Sequence, residues 1–151
     1  MANENQIETL NDLVLINNDR IEGYRKASEN LEDKHTELTS LFNSLKEESF
    51  KNNQELKSEI FNLRGTPDTG TTVSGKLYRA WMDVKATFGG NDAASVLSSC
   101  EGGEDAAKAA YKSALESGDL AGDTASLVMR QQQVQLQGHD KIKALRDQYK
   151  A

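Results

Sequence analysis

A single cysteine, Cys100, is present in the 151 residues, so no disulfide can form within the chain. A single proline, Pro67, leaves long stretches with nothing to interrupt a helix. Aromatic residues make up only 6% of the composition, and helix formers take their place. No apolar run is long enough for a signal peptide or a membrane-crossing helix, and a cytoplasmic location is the expectation that follows. Clustered positive charge is also lacking. The formal net charge of −6 argues against the non-specific nucleic-acid binding that depends on Lys and Arg displacing counterions from phosphates.

What remains is rich in helix formers, and the length suits one domain with one core, spanning residues 1–151. From about Glu4 to Leu31, Ile7, Leu10, Val14, Ile21, Tyr24 and Leu31 recur at steps of three and four, with Asn17 and Ser28 filling the gaps in the stripe. A second helix is expected from about Lys34 to Leu63, capped by Asp33 and stopped by Gly65, with Leu38, Leu41, Leu45, Asn52, Leu56, Ile60 and Leu63 on one face. Residues 65–72 read as a loop, and Val73, Leu77, Trp81, Val84 and Phe88 line a shorter helix that Gly89 and Gly90 end. Asn91 or Asp92 caps a further helix to about Ser117, ended by Gly118. Asp123 caps the last, whose apolar side carries Leu127, Val128, Val134, Ile142, Leu145 and Tyr149.

The fold class is therefore all-α, a bundle of four long helices. The connection from Gly65 to Asn91 is too long for a turn between antiparallel neighbours, and its length suits a crossover along the bundle, with the Trp81 helix packed on the outside. Lys76, Arg79 and Lys85 on that helix suggest a membrane surface, but the overall acidity opposes an anionic bilayer and favours packing on the bundle.

Polar groups occupy core positions. At about 100° per residue, Asn17 and Glu104 fall near the centres of their stripes, with Asn52, Gln131 and Gln135 within or close to theirs. All lie near mid-helix, so they are expected to meet in one polar layer. A buried Glu104 must be hydrogen-bonded, protonated or bound to a cation. In one reading it accepts hydrogen bonds from the amides of Asn17, Asn52 and Gln135, a network that sets helix register. In the other it joins Glu101, Glu22, Glu59 and His139 in a metal site for iron, manganese or zinc. Glu22 and Glu101 turn about 90° or more from their stripe centres, and the Glu-x-x-His pairs of bundle di-metal sites are absent. The first expectation is therefore that no cofactor is bound.

Cys100 lies one turn before Glu104 and reads as a buried structural thiol, and His35 lies far from the layer. Gly102 and Gly103 weaken their helix and suggest close approach of a neighbouring helix. Phe50 and Phe61, with Leu15, form secondary apolar patches that need a cover, either the Trp81 helix or a second subunit. No Gly-x-Ser-x-Gly turn and no phosphate-cradling glycine motif occurs.

The segments LVLINNDRIEGYRKA, GKLYRAWMDVKATFGGND, CEGGEDAAKAAYKSAL and GHDKIKALRDQYK resemble a bacterial family of small ferritin-like four-helix-bundle proteins, a domain of unknown function of about 150 residues. The resemblance implies a ferritin-like bundle loosely linked to stress-associated proteins. Carried over, the di-iron pattern falls on Glu22, on Glu55 or Glu59, on Glu101 and Glu104, and on His139. Two functions follow as expectations: a non-enzymatic, stress-associated bundle, a homodimer acting through protein contacts, or a metal-binding, ferroxidase-like or peroxide-protective protein.

Overall fold

A computed structural model describes residues 2–31, 35–68 and 92–150. Among them are four helices and no strand: α1 (Ala2–Leu31), α2 (Thr36–Asn62), α3 (Ala93–Glu116) and α4 (Gly122–Lys150). Each rises roughly 35–45 Å at 1.5 Å per residue. The Trp81 helix, the Asp33 cap and the glycines expected to end the Trp81 helix lie outside the described residues. No helix among those described is long and apolar enough to cross a membrane.

The helix ends follow local chemistry, with some departures from expectation. The Asp92 carboxylate caps α3, accepting from the Ser95 amide at 2.9 Å. Gly118 follows the end of α3 with φ +77°, a conformation that suits a residue with no Cβ. The second helix begins at Thr36, later than the expected Lys34. Its other end is a Schellman turn in which Arg64, not Gly65, takes the left-handed conformation (φ 66°). The Arg64 and Gly65 amides donate to the Phe61 and Ile60 carbonyls. Gly65 serves close approach instead: a Cβ there would stand 2.8 Å from Ile7 Cγ2. Asp123 lies inside the first turn of α4, one residue past its start, and does not cap it.

Contacts between helices give the topology. Asn17 of α1 meets Asn52 of α2 and Tyr111 of α3. Three residues along α1, Arg20 meets Ser49 and Glu104, each earlier in its helix. Both α2 and α3 therefore run antiparallel to α1. Gln131 of α4 meets Tyr111 and Asn52, whereas the later His139 and Tyr149 meet the earlier Asp105 and Glu37. The order is up, down, down, up, with α1 diagonal to α4. The chain between α2 and α3 thus joins opposite ends of the bundle, whereas only four residues separate α1 from α2 and five separate α3 from α4. The packing of α2 on α4 is the sparsest of the four neighbouring contacts.

The apolar core is in two parts. At one end Tyr24, Leu31, Phe42, Leu97 and Ile142 pack together. At the other, Leu10, Leu13, Leu56, Ile60 and Val128 do so. Polar side chains separate them. Phe42, which the apolar stripe omitted, is fully buried, and Val134, expected on the inward side of α4, is 37% exposed.

Candidate functional site

The layer between the two apolar clusters contains two adjoining sets of hydrogen bonds. The first is a closed circuit through all four helices. Asn52 Nδ2 donates to Asn17 Oδ1 at 3.1 Å, and Asn17 Nδ2 donates to the Tyr111 hydroxyl at 2.9 Å. That hydroxyl donates to Gln131 Oε1 at 2.7 Å, and Gln131 Nε2 returns to the Asn52 carbonyl at 3.2 Å. Tyr111 can both accept and donate, which is what lets amides on either side of it close the ring. Gln131 Nε2 also reaches Glu55, which is paired with Arg130 at the surface.

Less than one turn further along α1 lies the second set, centred on Arg20. Its Nε and Nη2 donate to Glu104 Oε1 and Oε2 at 2.5 and 3.1 Å, a two-armed pair. The remaining arm, Nη1, donates to Glu48 Oε1 at 2.8 Å and Ser49 Oγ at 3.1 Å. The side chains of Arg20 and Glu104 are 1% and 0% exposed, so each charge depends on the other. Burial alone would lower the Arg20 pKa, but the charge of Glu104 and its hydrogen bonds, supported by Glu48, overcome it and raise the pKa instead. The Tyr24 ring lies 5.8 Å from the guanidinium carbon, within cation–π range.

The helix α4 covers this set with bare backbone. A Cβ on Gly138 would stand 2.9 Å from Leu45 Cδ2 and 3.2 Å from Arg20 Nη2, so only glycine fits without displacement. Gln135 Nε2 donates to the main-chain carbonyl of Glu104 at 3.0 Å, and its Oε1 is buried without a hydrogen-bond partner. At the rim, Glu48 is 19% exposed. Burial raises its pKa, Arg20 opposes that rise, and Glu104 adds to it.

The five residues expected in a polar layer, Asn17, Asn52, Glu104, Gln131 and Gln135, are all buried here. Their partners differ from expectation. The Glu104 carboxylate is not held by the amides of Asn17, Asn52 and Gln135, because both of its oxygens face Arg20. The amides of Asn17 and Asn52 serve the circuit, and that of Gln135 serves a carbonyl. Arg20, Glu48, Ser49 and Tyr111 are the participants that sequence reasoning missed. The available signal was spacing: Arg20 lies three residues after Asn17 and four before Tyr24, on the same inward stripe.

The expected metal ligands are not brought together. Glu22 is bonded to Arg25 near the surface, Glu101 to Arg146 at 2.5 Å, and Glu55 to Arg130 and Gln131. His139 Nε2 lies 2.6 Å from Asp105 and Nδ1 lies 3.1 Å from Asp140. Glu59 is half-buried on α2, past Asn52 toward the opposite end from Glu104. No group of three or more metal-binding side chains occurs among the described residues. A guanidinium on both oxygens of Glu104 does not fit a metal at that carboxylate.

Nor does the layer offer a ready nucleophile. Burial, then the charge of Glu104, pushes the Cys100 thiol well above its ordinary value, and burial does the same to the Tyr24 and Tyr111 hydroxyls. All three stay protonated near neutrality. Of the two glycines in the acidic cluster, Gly102 is exposed and departs from the expected close approach, since nothing lies within 4 Å of a Cβ placed there, whereas Gly103 is buried.

A model of a protein family described as a domain of unknown function, DUF2383, matches residues 5–117, about three quarters of the chain. The chain belongs to the DUF2383 family. No curated protein matches it. The matched span takes in nearly all of α1 and the whole of α2 and α3. It therefore contains every charged member of the buried set of this DUF2383 chain, Arg20, Glu48 and Glu104. The α4 residues that close the layer, Gln131, Gln135 and Gly138, lie beyond it.

Proposed function

We propose that this DUF2383 chain is a ferritin-like bundle acting without enzymatic chemistry, through protein contacts. The up, down, down, up order and the chain that joins opposite ends between α2 and α3 support the ferritin-like assignment. The observation that carries the functional reading is the Arg20–Glu104 pair. In the place where carboxylate bundles keep metal ligands, the central carboxylate is neutralised by a cation belonging to the protein. The layer then serves register and specificity, with polar partners that match in only one alignment of the four helices.

Surface composition supports action by contact. Phe50 and Phe61 on α2 are 47% and 65% exposed, an apolar surface suited to a second copy in a homodimer or to another protein. A stress-associated role rests on the sequence resemblance alone, and a cytoplasmic location on the lack of a long apolar run. The alternative, a metal-binding ferroxidase or peroxide-protective protein, would need Glu104 released from Arg20 and the other carboxylates drawn away from Arg25 and Arg146.

Elemental analysis of protein purified from iron-supplemented cells tests this, with Glu104→Ala as the comparison. Both are expected at background. Iron, manganese or zinc bound stoichiometrically to the wild type and lost in the variant would overturn it.

A further inference from the structure

The buried set holds two carboxylates and one cation. Glu48 comes from α2, Glu104 from α3, and the guanidinium between them from α1. Arg20 directs all its nitrogens at this set and is 1% exposed, so it is held as fully as a bound ligand would be. On the α4 side, Gly138 lets backbone close over the guanidinium, and the buried Gln135 Oε1 supplies an oxygen without a partner next to the Glu104 main chain. Ser49 Oγ adds another oxygen at 3.1 Å. Apart from Arg20, this is the oxygen-rich environment of a cation site.

We infer that Arg20 is the resident cation of a two-carboxylate site formed by Glu48 and Glu104, and that a chain lacking its guanidinium takes up a small cation from solution in its place. The inference rests on the reading above only in that the wild-type site is already filled. With no cation between them, the fully buried Glu104 and the part-buried Glu48 carry like charge in a poorly solvated place, where they must either gain protons or bind a positive ion. The shape left by Arg20 is planar and forked, so methylguanidinium fits it best, in the same two-armed geometry on Glu104. A divalent ion is the other source of the same charge.

Arg20→Ala tests this with full-length protein. Its melting temperature is followed against methylguanidinium at millimolar concentration, with potassium chloride at matched ionic strength as the control, and separately against manganese(II). Methylguanidinium is expected to raise the melting temperature of Arg20→Ala saturably, by roughly 3–6 °C. It should leave the wild type and the double variant Arg20→Ala/Glu104→Gln unmoved. If Arg20→Ala does not fold unaided, recovery of helical circular dichroism by methylguanidinium but not by potassium is the equivalent readout. Absence of any rise or recovery, or an equal one in the double variant, overturns the inference. Uptake of manganese by the wild type would instead overturn the metal-free reading, so the two failures are distinguishable.

Discussion

Arg20 and Glu104 stand 84 residues apart in sequence and meet side by side at mid-bundle, with both arms of the guanidinium on both oxygens of the carboxylate. Neither is more than 1% exposed. A pair so deeply buried contributes little net stability when intact, because the attraction mainly offsets the cost of taking two charges out of water. Its effect appears when one partner is removed.

Arg20→Ala or Glu104→Ala alone should each cost about 3–5 kcal/mol, since each leaves an unpaired buried charge. The double variant Arg20→Met/Glu104→Leu, which fills the space with apolar side chains, should cost less than either single change. Urea denaturation of the three variants checks this. A double variant as unstable as the sum of the singles would show that the pair is not coupled as described.

Glu48 is a second carboxylate on Arg20, beside Glu104. Its pKa is raised above the ordinary 4.5, with burial the largest cause. The folded state therefore binds this proton more tightly than the unfolded chain. The contribution of Glu48 to stability rises as pH falls through its folded pKa and is complete below 4.5. At neutral pH its ionised form is a burden, so Glu48→Gln, which keeps an oxygen for Arg20, should be at least as stable as the wild type. The difference between the two should shrink as pH falls toward 4.5, measured by denaturation at a series of pH values.

The first helix shows how much of this could be read in advance. The spacing of Leu10, Val14, Tyr24 and Leu31 was enough to locate it, and Asn17 stood out as a polar group within an apolar stripe. Arg20 occupies the same face, but a charged side chain in a helix is ordinarily a solvated one, so its inward position was masked by its type. With Arg20 read as a solvated residue, Glu104 is left needing amides or a metal. In α4 the difficulty was reversed. Its inward face is built from Gln131, Gln135, Gly138 and His139, so apolar periodicity pointed to Val134, which the bundle leaves exposed. Phe42, by contrast, was legible from spacing: it lies four residues after Leu38 and three before Leu45, at the same angle as Ile60, and it packs on Tyr24. Helix ends that depend on a local group, such as the Asp92 cap and Gly118, were legible. The Schellman turn at Arg64 was not, because a left-handed arginine carries no sequence signature.

His139 links α4 to α3 by lying between Asp105 and Asp140. Burial works against its charge, but the hydrogen bonds to Asp140 and Asp105 and the Asp105 charge outweigh that and raise its pKa above 6.5. The stabilisation this gives is fully present below 6.5 and is lost as pH rises through the folded value. His139→Gln should remove that pH dependence, and a proton NMR titration of the imidazole should give a pKa above 6.5. A value at or below 6.5 would contradict the contact.

Two glycines should respond oppositely to alanine. At Gly138 the added methyl would meet Leu45 and Arg20, an overpacking cost of about 1–3 kcal/mol that exceeds the roughly 1 kcal/mol gained in helix propensity. At Gly102, where a Cβ meets nothing within 4 Å, Gly102→Ala should gain most of that roughly 1 kcal/mol. Thermal melts of the two variants separate the cases.

The most direct measurement is a crystal structure of the wild-type chain grown with manganese(II), with anomalous scattering mapped at mid-bundle. Arg20 should lie on both oxygens of Glu104 with no anomalous peak between Glu48 and Glu104. A manganese peak on Glu104, with Arg20 turned away from it, would contradict the account.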